Sequence, residues 1–179
     1  MILAVALATI LGRPVPELPA EPPPRWVQGG PLTLAGLRGK VVLIRFFTDG
    51  DCPYCRATAP SLNAFHGEFA ARGLVVIGVY TPKPKPREVA LDDVRRVIAE
   101  YGFSFPVAID ADWRALHRLW LDRAPGAAFT SASLLVDRRG IVRHVHAGGT
   151  YAKDASDPKA RRDHDEMRRA IETCLDEAP

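Results

Sequence analysis

The sequence predicts an α/β domain with a mixed central β-sheet flanked by helices and an extra β-hairpin at its N-terminal end. Three observations carry this expectation. Residues 41–47 and 74–80 are almost continuous apolar runs of strand length, separated by a stretch with helical spacing of its apolar residues. Strand, helix, strand within one unit requires parallel pairing through a right-handed crossover. Residues 133–137 and 141–147 are a second strand-patterned pair, joined by Arg138-Arg139-Gly140, and this short turn requires antiparallel pairing.

The chain has 179 residues, of which 47% are hydrophobic and 25% charged. That suits one globular domain with a sizeable core. A formal charge of +3, with dispersed basic residues, excludes nucleic acid or an anionic membrane surface as an expected partner. Three cysteines cannot build a multi-bridge disulfide framework.

Residues 1–24 read as an apolar N-terminal segment followed by a proline-rich linker, and residues 25–179 as the domain. The apolar run over residues 1–11 is too short for a bilayer span, which needs about 20 residues. It lacks a basic flank, and Ala6-Leu7-Ala8 has the form of a signal-peptide cleavage site. A targeting or anchor remnant, acting as a membrane tether, and a plain N-terminal helix or strand both remain open. Prolines 14, 16, 19 and 22–24 then predict an extended surface spacer.

Residues 26–34 place Gly29-Gly30 between two short alternating runs, the pattern of a hairpin. The run 41–47 follows, interrupted only by Arg45. Leu62, Phe65 and Phe69 set a helix over 57–72, with Pro60 inside it as an expected kink and Gly73 as its C-cap. Residues 81–87 contain three prolines with Lys83, Lys85 and Arg87, and read as a solvated basic loop in preference to a site for an acidic partner. A helix over 92–101, a strand over 105–109 and a helix over 112–121 precede a Gly- and Pro-containing loop over 122–129. After the late hairpin, 151–161 reads as a polar loop and 162–175 as an amphipathic helix. Cys174 falls on that helix's apolar face with Met167, Ile171 and Leu175, where a free cysteine acts as a small hydrophobe.

Cys52-Pro53-Tyr54-Cys55 stands at the turn from strand 41–47 into the first helix. The start of a helix offers unpaired N–H groups and the positive end of the macrodipole, both of which favour a thiolate. Two thiols at this spacing serve redox chemistry or half of a zinc site, and a zinc site would need two further ligands at comparable spacing, yet there is no second C-x-x-C.

Taken with its surroundings, the motif resembles the redoxin or TlpA/ResA-like branch of the thioredoxin superfamily. The residues carrying the resemblance are Leu32-Thr33-Leu34, Leu37 to Leu43, the Cys52-Pro53-Tyr54-Cys55-Arg56 segment with Pro60 five residues on, and Leu135 to Val142. The resemblance implies a thioredoxin-like fold and a thiol–disulfide oxidoreductase in which Cys52 attacks and Cys55 resolves. It implies Pro53 and Tyr54 at the substrate face, a protein disulfide or dithiol as substrate, a redox partner protein, a monomer, no cofactor, no metal, and an extracytoplasmic location.

Two departures from the family pattern bear on the site. Asp51 stands where many members carry tryptophan, with Asp49 nearby, and both carboxylates are expected to oppose ionisation of Cys52. Members also place a cis-proline six residues before the aspartate of the late hairpin, whereas here Ser131 occupies that position. A trans Thr130–Ser131 bond is therefore expected, with both residues as candidates for a polar substrate contact or for occupying the front side of the thiolate.

Rival readings are a Sco-like copper chaperone using Cys52, Cys55 and a strand histidine, His144 or His146, and a peroxiredoxin-like peroxidase. The first family carries C-x-x-x-C, and the second requires a Pro-x-x-x-Thr/Ser-x-x-Cys loop that is not present. Glutaredoxins share Cys-Pro-Tyr-Cys but are much shorter and have a Thr-Val-Pro segment before a Gly-Gly pair, which Gly148-Gly149 lacks.

Overall fold

The computed structural model describes residues 9–127 and 129–178. Ala6-Leu7-Ala8 and most of the apolar N-terminal run lie outside the described residues. The chain forms β1 (Arg25–Gln28), β2 (Val41–Phe47), α1 (Pro53–Phe69), β3 (Leu74–Tyr80), α2 (Leu91–Tyr101), β4 (Val107–Ile109), α3 (Arg114–Leu119), β5 (Ser133–Val136), β6 (Val142–His146) and α4 (Pro158–Asp176). The strands make one six-stranded sheet in the order β1-β4-β3-β2-β5-β6.

The sheet is mixed, as its sequence pattern requires. β2 pairs in parallel with β3, in register from Val41 with Leu74 to Phe47 with Tyr80, and β3 pairs in parallel with β4. β5 runs antiparallel to both β2 and β6. The β5–β6 turn is fixed by Asp137, whose Oδ1 accepts from the N–H groups of Arg139 and Ile141, each at 2.9 Å. Its Gly140 takes φ +77°, a left-handed conformation open to glycine.

Strands β2 and β3 are apolar on both faces because both are covered. Val41, Leu43, Phe47, Leu74, Val76 and Tyr80 join Leu62, Phe65 and Phe69 of α1 and Met167, Ile171 and Leu175 of α4. Val42, Ile44, Phe46, Ile77 and Val79 pack on the other face against Leu116, Leu119 and Trp120. The two-residue period of β2 puts Arg45 on the α1 and α4 face, where it is fully buried.

Four expectations change. Gly29-Gly30 does not close a hairpin: β1 pairs antiparallel with β4, and residues 32–34 carry no strand. β1 instead covers the edge that the short β4 would leave open. The expected surface spacer is anchored in its first half, with Ile10, Val15 and Leu18 buried in the core. Backbone bonds of 2.8–2.9 Å from Gly12 to Val142, Val142 to Arg13 and Val15 to Gly140 lay this stretch along the start of β6. Helix α4 begins at Pro158, inside the expected polar loop, because Asp157 caps it through Lys159 N at 2.9 Å and proline suits the first helical turn. The strand expected over 105–109 narrows to 107–109, since Pro106 has no N–H to donate. Helix α1 passes through Pro60 as one helix and ends through a short 3-10 turn at Gly73, which has φ 104°.

Candidate active site

Cys52 is the N-cap of α1, with extended backbone angles φ −72° and ψ 108°. Its Sγ accepts a hydrogen bond from the Cys55 N–H at 3.2 Å, filling the role that an oxygen plays in most helix caps. Pro53 occupies the first turn, where its missing N–H would have had no intrahelical partner. Cys55 lies one turn on, buried on the core side, and the two Sγ atoms are 2.6 Å apart as free thiols.

The two sulfurs have opposite acid–base characters. Cys52 is lowered from 9.0 to about 6, first by the thiol hydrogen bond with Cys55, against desolvation, and with help from the Cys55 N–H, the Arg45 charge and the Tyr54 N–H. Cys55 is pushed up by that same contact and by its burial. The anion therefore rests on the half-exposed sulfur and the proton on the buried one.

The positive charge of Arg45 lowers both thiols. Its guanidinium donates to Ser133 Oγ at 3.3 Å and to the Gly149 carbonyl at 3.2 Å, and lies 5.5 Å from the centre of the Tyr151 ring. Its Nε has no partner, and no carboxylate pairs with it among the described residues. The sequence showed Arg45 only as the single charge in an apolar strand, which was the available signal for this role.

Beside Cys52 opens a cavity of about 240 Å³ lined by Phe47, Thr48, Cys52, Tyr54, Thr81, Lys83, Phe129, Thr130 and Ser131. Tyr54 and Phe129 are half exposed at its rim. Thr130 and Ser131 line this cavity together with Cys52. The cis bonds of the described residues precede Pro22, Pro31 and Pro84, so Thr130–Ser131 is trans. Gly148 has φ 135°, and a Cβ there would collide with Phe129. Gly148→Ala is expected to cost roughly 1–3 kcal/mol of stability, read by urea denaturation, and to displace the Phe129 rim.

The two acidic residues before the dithiol are placed differently from one another. Asp49 accepts from the Tyr80 hydroxyl and pairs with Arg87 at 3.3 Å, while the Tyr101 hydroxyl donates to its carbonyl at 3.1 Å. Asp51 is exposed. The Cys52 thiol is lowered chiefly by its hydrogen bond with Cys55, with the Cys55 N–H and the Arg45 charge contributing further.

The strand histidines lie apart from the lining of the cavity beside Cys52. His146 is buried with Nε2 on Asp163 at 3.0 Å, and the Arg45 charge acts on it as well as on the thiols. Among the described residues, no cluster of three or more His, Cys, Asp or Glu side chains could hold a metal ion. Cys174 is buried beside Met167, Ile171 and Leu175, and burial raises its thiol to about 11. In the native protein it is expected to resist iodoacetamide at pH 7.5 while Cys52 reacts, as read by mass spectrometry.

The mixed sheet with flanking helices and a dithiol at the start of the first helix define the class: a protein of thioredoxin-like fold. The chain belongs to the AhpC/TSA family, whose pattern matches residues 11–145. It is 35% identical over 126 residues to protein DipZ of Mycobacterium bovis, covering 68% of this chain and 16% of DipZ. It is 27% identical over 123 residues to the thiol-disulfide oxidoreductase ResA of Halalkalibacterium halodurans, covering 69% of this chain and 62% of ResA. The chain thus spans less than two thirds of either relative. A Chlorobium tepidum structure described as a thiol:disulfide interchange protein of the DsbE type superposes with a TM-score of 0.67 at 23% identity, covering 92% of this chain and 97% of that one. A secreted Mycobacterium tuberculosis disulfide oxidoreductase homologous to DsbE superposes with a TM-score of 0.60 at 21% identity, covering 84% and 93%. At these identities the two structures speak for the fold.

Proposed function

We propose that this protein exchanges dithiol and disulfide with protein substrates through Cys52 and Cys55. The observation that carries the reading is the division of labour at the dithiol, an accessible thiolate over a buried thiol 2.6 Å away. The Cys52 thiolate attacks one sulfur of a substrate disulfide, that S–S bond breaks, and the other substrate sulfur leaves and takes a proton. Cys55 then gives up its proton, attacks Cys52 Sγ and releases the second substrate thiolate. Two electrons have passed to the substrate, and a dithiol partner protein returns them. Pro53, Tyr54, Thr130 and Ser131 form the docking face. The name of ResA and the description of the DsbE-type neighbour support this chemistry. The secreted Mycobacterium tuberculosis neighbour and the apolar run near the N-terminus favour an extracytoplasmic location, with that run as a tether. Among the described residues no helix is long and apolar enough to cross a membrane.

The test is a redox titration with thiol trapping, repeated across pH. A Cys52 pKa of about 6 lies between the values of about 7 and about 3.5 found in thioredoxin and in a strong oxidant, so a potential between about −270 and −120 mV is expected. Because the folded pKa is depressed from 9.0, the thiolate stabilises the reduced form at pH 9 and above, and that contribution is lost as pH falls through about 6. Attack on a disulfide reagent should therefore fall about tenfold per pH unit below 6 and level off above it. If no reversible Cys52–Cys55 disulfide forms, the reading is wrong.

A further inference from the structure

The basic loop over 81–87 does not present all its charge to solvent. Lys83 lines the cavity beside Cys52, half buried, with its ammonium 5.2 Å from the centre of the Trp113 ring. Trp113 is the one described non-glycine residue with positive φ, at 64°, and its indole N–H donates to the Pro82 carbonyl at 2.8 Å. The strained tryptophan thus braces the loop that carries the lysine, and its ring face favours a cation. Nearby Arg87 pairs with Asp49 and Arg56 with Glu100, whereas among the described residues Lys83 has no carboxylate partner. A second group in the same cavity is also unanswered: Thr48 Oγ1 is buried and has no hydrogen-bond partner. In the reduced protein the Cys52 thiolate acts on Lys83 through space; once that sulfur is consumed in attack on a disulfide, the half-buried cation and the free hydroxyl in the same cavity are short of an acceptor that carries negative charge.

We propose that this cavity is an anion subsite in which Lys83 and Thr48 receive a carboxylate neighbouring the disulfide that Cys52 attacks. The inference deepens the proposed function and rests on Cys52 being the attacking thiol. It assigns a substrate class, disulfides flanked by an acidic group, and makes Lys83 a specificity-determining residue. The carboxylate belongs either to an Asp or Glu side chain of a protein substrate or to a small carboxylated disulfide. The half-exposed Tyr54 and Phe129 at the rim receive the apolar remainder of either one.

The test uses the full reduced protein and three otherwise identical peptide disulfides with Asp, Asn or Lys beside the reacting cysteine, together with dithiodipropionate and its diamide. The wild-type protein is expected to reduce the Asp peptide with a kcat/KM about fivefold above the Asn peptide, the difference lying in KM, and to disfavour the Lys peptide. Lys83→Gln removes the Asp-to-Asn ratio, and Lys83→Glu inverts it in favour of the Lys peptide. Lys85→Glu, an exposed change on the same loop outside the cavity, keeps the wild-type ratio. Preference in the peptide series assigns the subsite to protein substrates, and preference confined to dithiodipropionate over its diamide assigns it to small disulfides. Equal ratios in wild type and Lys83→Glu, or an equal shift with Lys85→Glu, overturn the subsite while reduction of the Asn peptide leaves the dithiol chemistry standing. Failure of the wild-type protein to reduce any peptide counts against the dithiol chemistry itself.

Discussion

Cys52→Ser is expected to abolish disulfide reduction, with a loss of about 10³-fold or more, because a serine hydroxyl stays protonated where this thiol ionises at about 6. Cys55→Ser should have a different signature. It retains the attacking thiolate but cannot complete the second displacement, so a mixed disulfide between Cys52 and the substrate accumulates and is visible as a mass adduct. It also removes the thiol whose hydrogen bond is the largest influence lowering Cys52, so the first attack should have its pH midpoint displaced upward from about 6. If Cys52→Ser formed the adduct through Cys55 instead, the assigned order of the two sulfurs would be reversed. Burial of Cys55 at 2% exposure argues against that outcome.

The elements at the heart of the fold were legible because their sequence signal is local and strong. Both faces of β2 and β3 are covered, so their residues read as unbroken apolar runs, and the observed bounds of Val41–Phe47 and Leu74–Tyr80 coincide with those runs. The errors fall where partners are distant. Nothing in residues 25–34 says that Arg25 will lie opposite Ile109. A Gly-Gly turn between alternating runs has the same appearance whether its second arm pairs or not. The proline spacing of residues 14–24 hid the burial of Val15 and Leu18, because proline content reports on hydrogen-bonding capacity and says little about which side chains find a core.

At the site, spacing identified the two sulfurs at the helix start, and the count back from Asp137 reached two residues, Thr130 and Ser131, that line the cavity beside Cys52. The electrostatics were not legible. Asp49 and Asp51 lie within three residues of Cys52 in sequence, but a charge acts through space and through its partners, and Asp49 is taken by Tyr80 and Arg87. Arg45 precedes Cys52 by seven residues along an extended strand, and only the fold carries its charge to within influence of the dithiol. Lys83 and Thr48 were obscured in the same way, one by a loop that looked solvated and the other by its ordinary composition.

Arg45→Met should raise the Cys52 pKa by about one unit and lower the redox potential by about 30 mV. The sign follows from which state answers the guanidinium. In the reduced protein the Cys52 thiolate offsets the buried charge; in the disulfide form no sulfur is ionised, and Arg45 is left with Ser133 Oγ, the Gly149 carbonyl and the face of Tyr151. Arg45 therefore favours the reduced form and makes the protein the stronger oxidant. Burying an arginine without a carboxylate costs several kcal/mol, and its Nε remains unbonded, so methionine of similar length should relieve the oxidised protein more than the reduced one. The Ser133 and Tyr151 hydroxyls keep their bond of 3.0 Å to each other, which limits the damage to the Gly149 carbonyl. Thermal unfolding of the two redox forms separates this role from a purely structural one. A structural arginine would lower both melting temperatures alike and leave thiolate absorbance against pH unchanged, and Arg45→Lys, which keeps the charge, should restore part of the Cys52 shift but not the bond geometry. A Cys52 titration indistinguishable from wild type in Arg45→Met would show that the helix start and Cys55 alone set the thiolate.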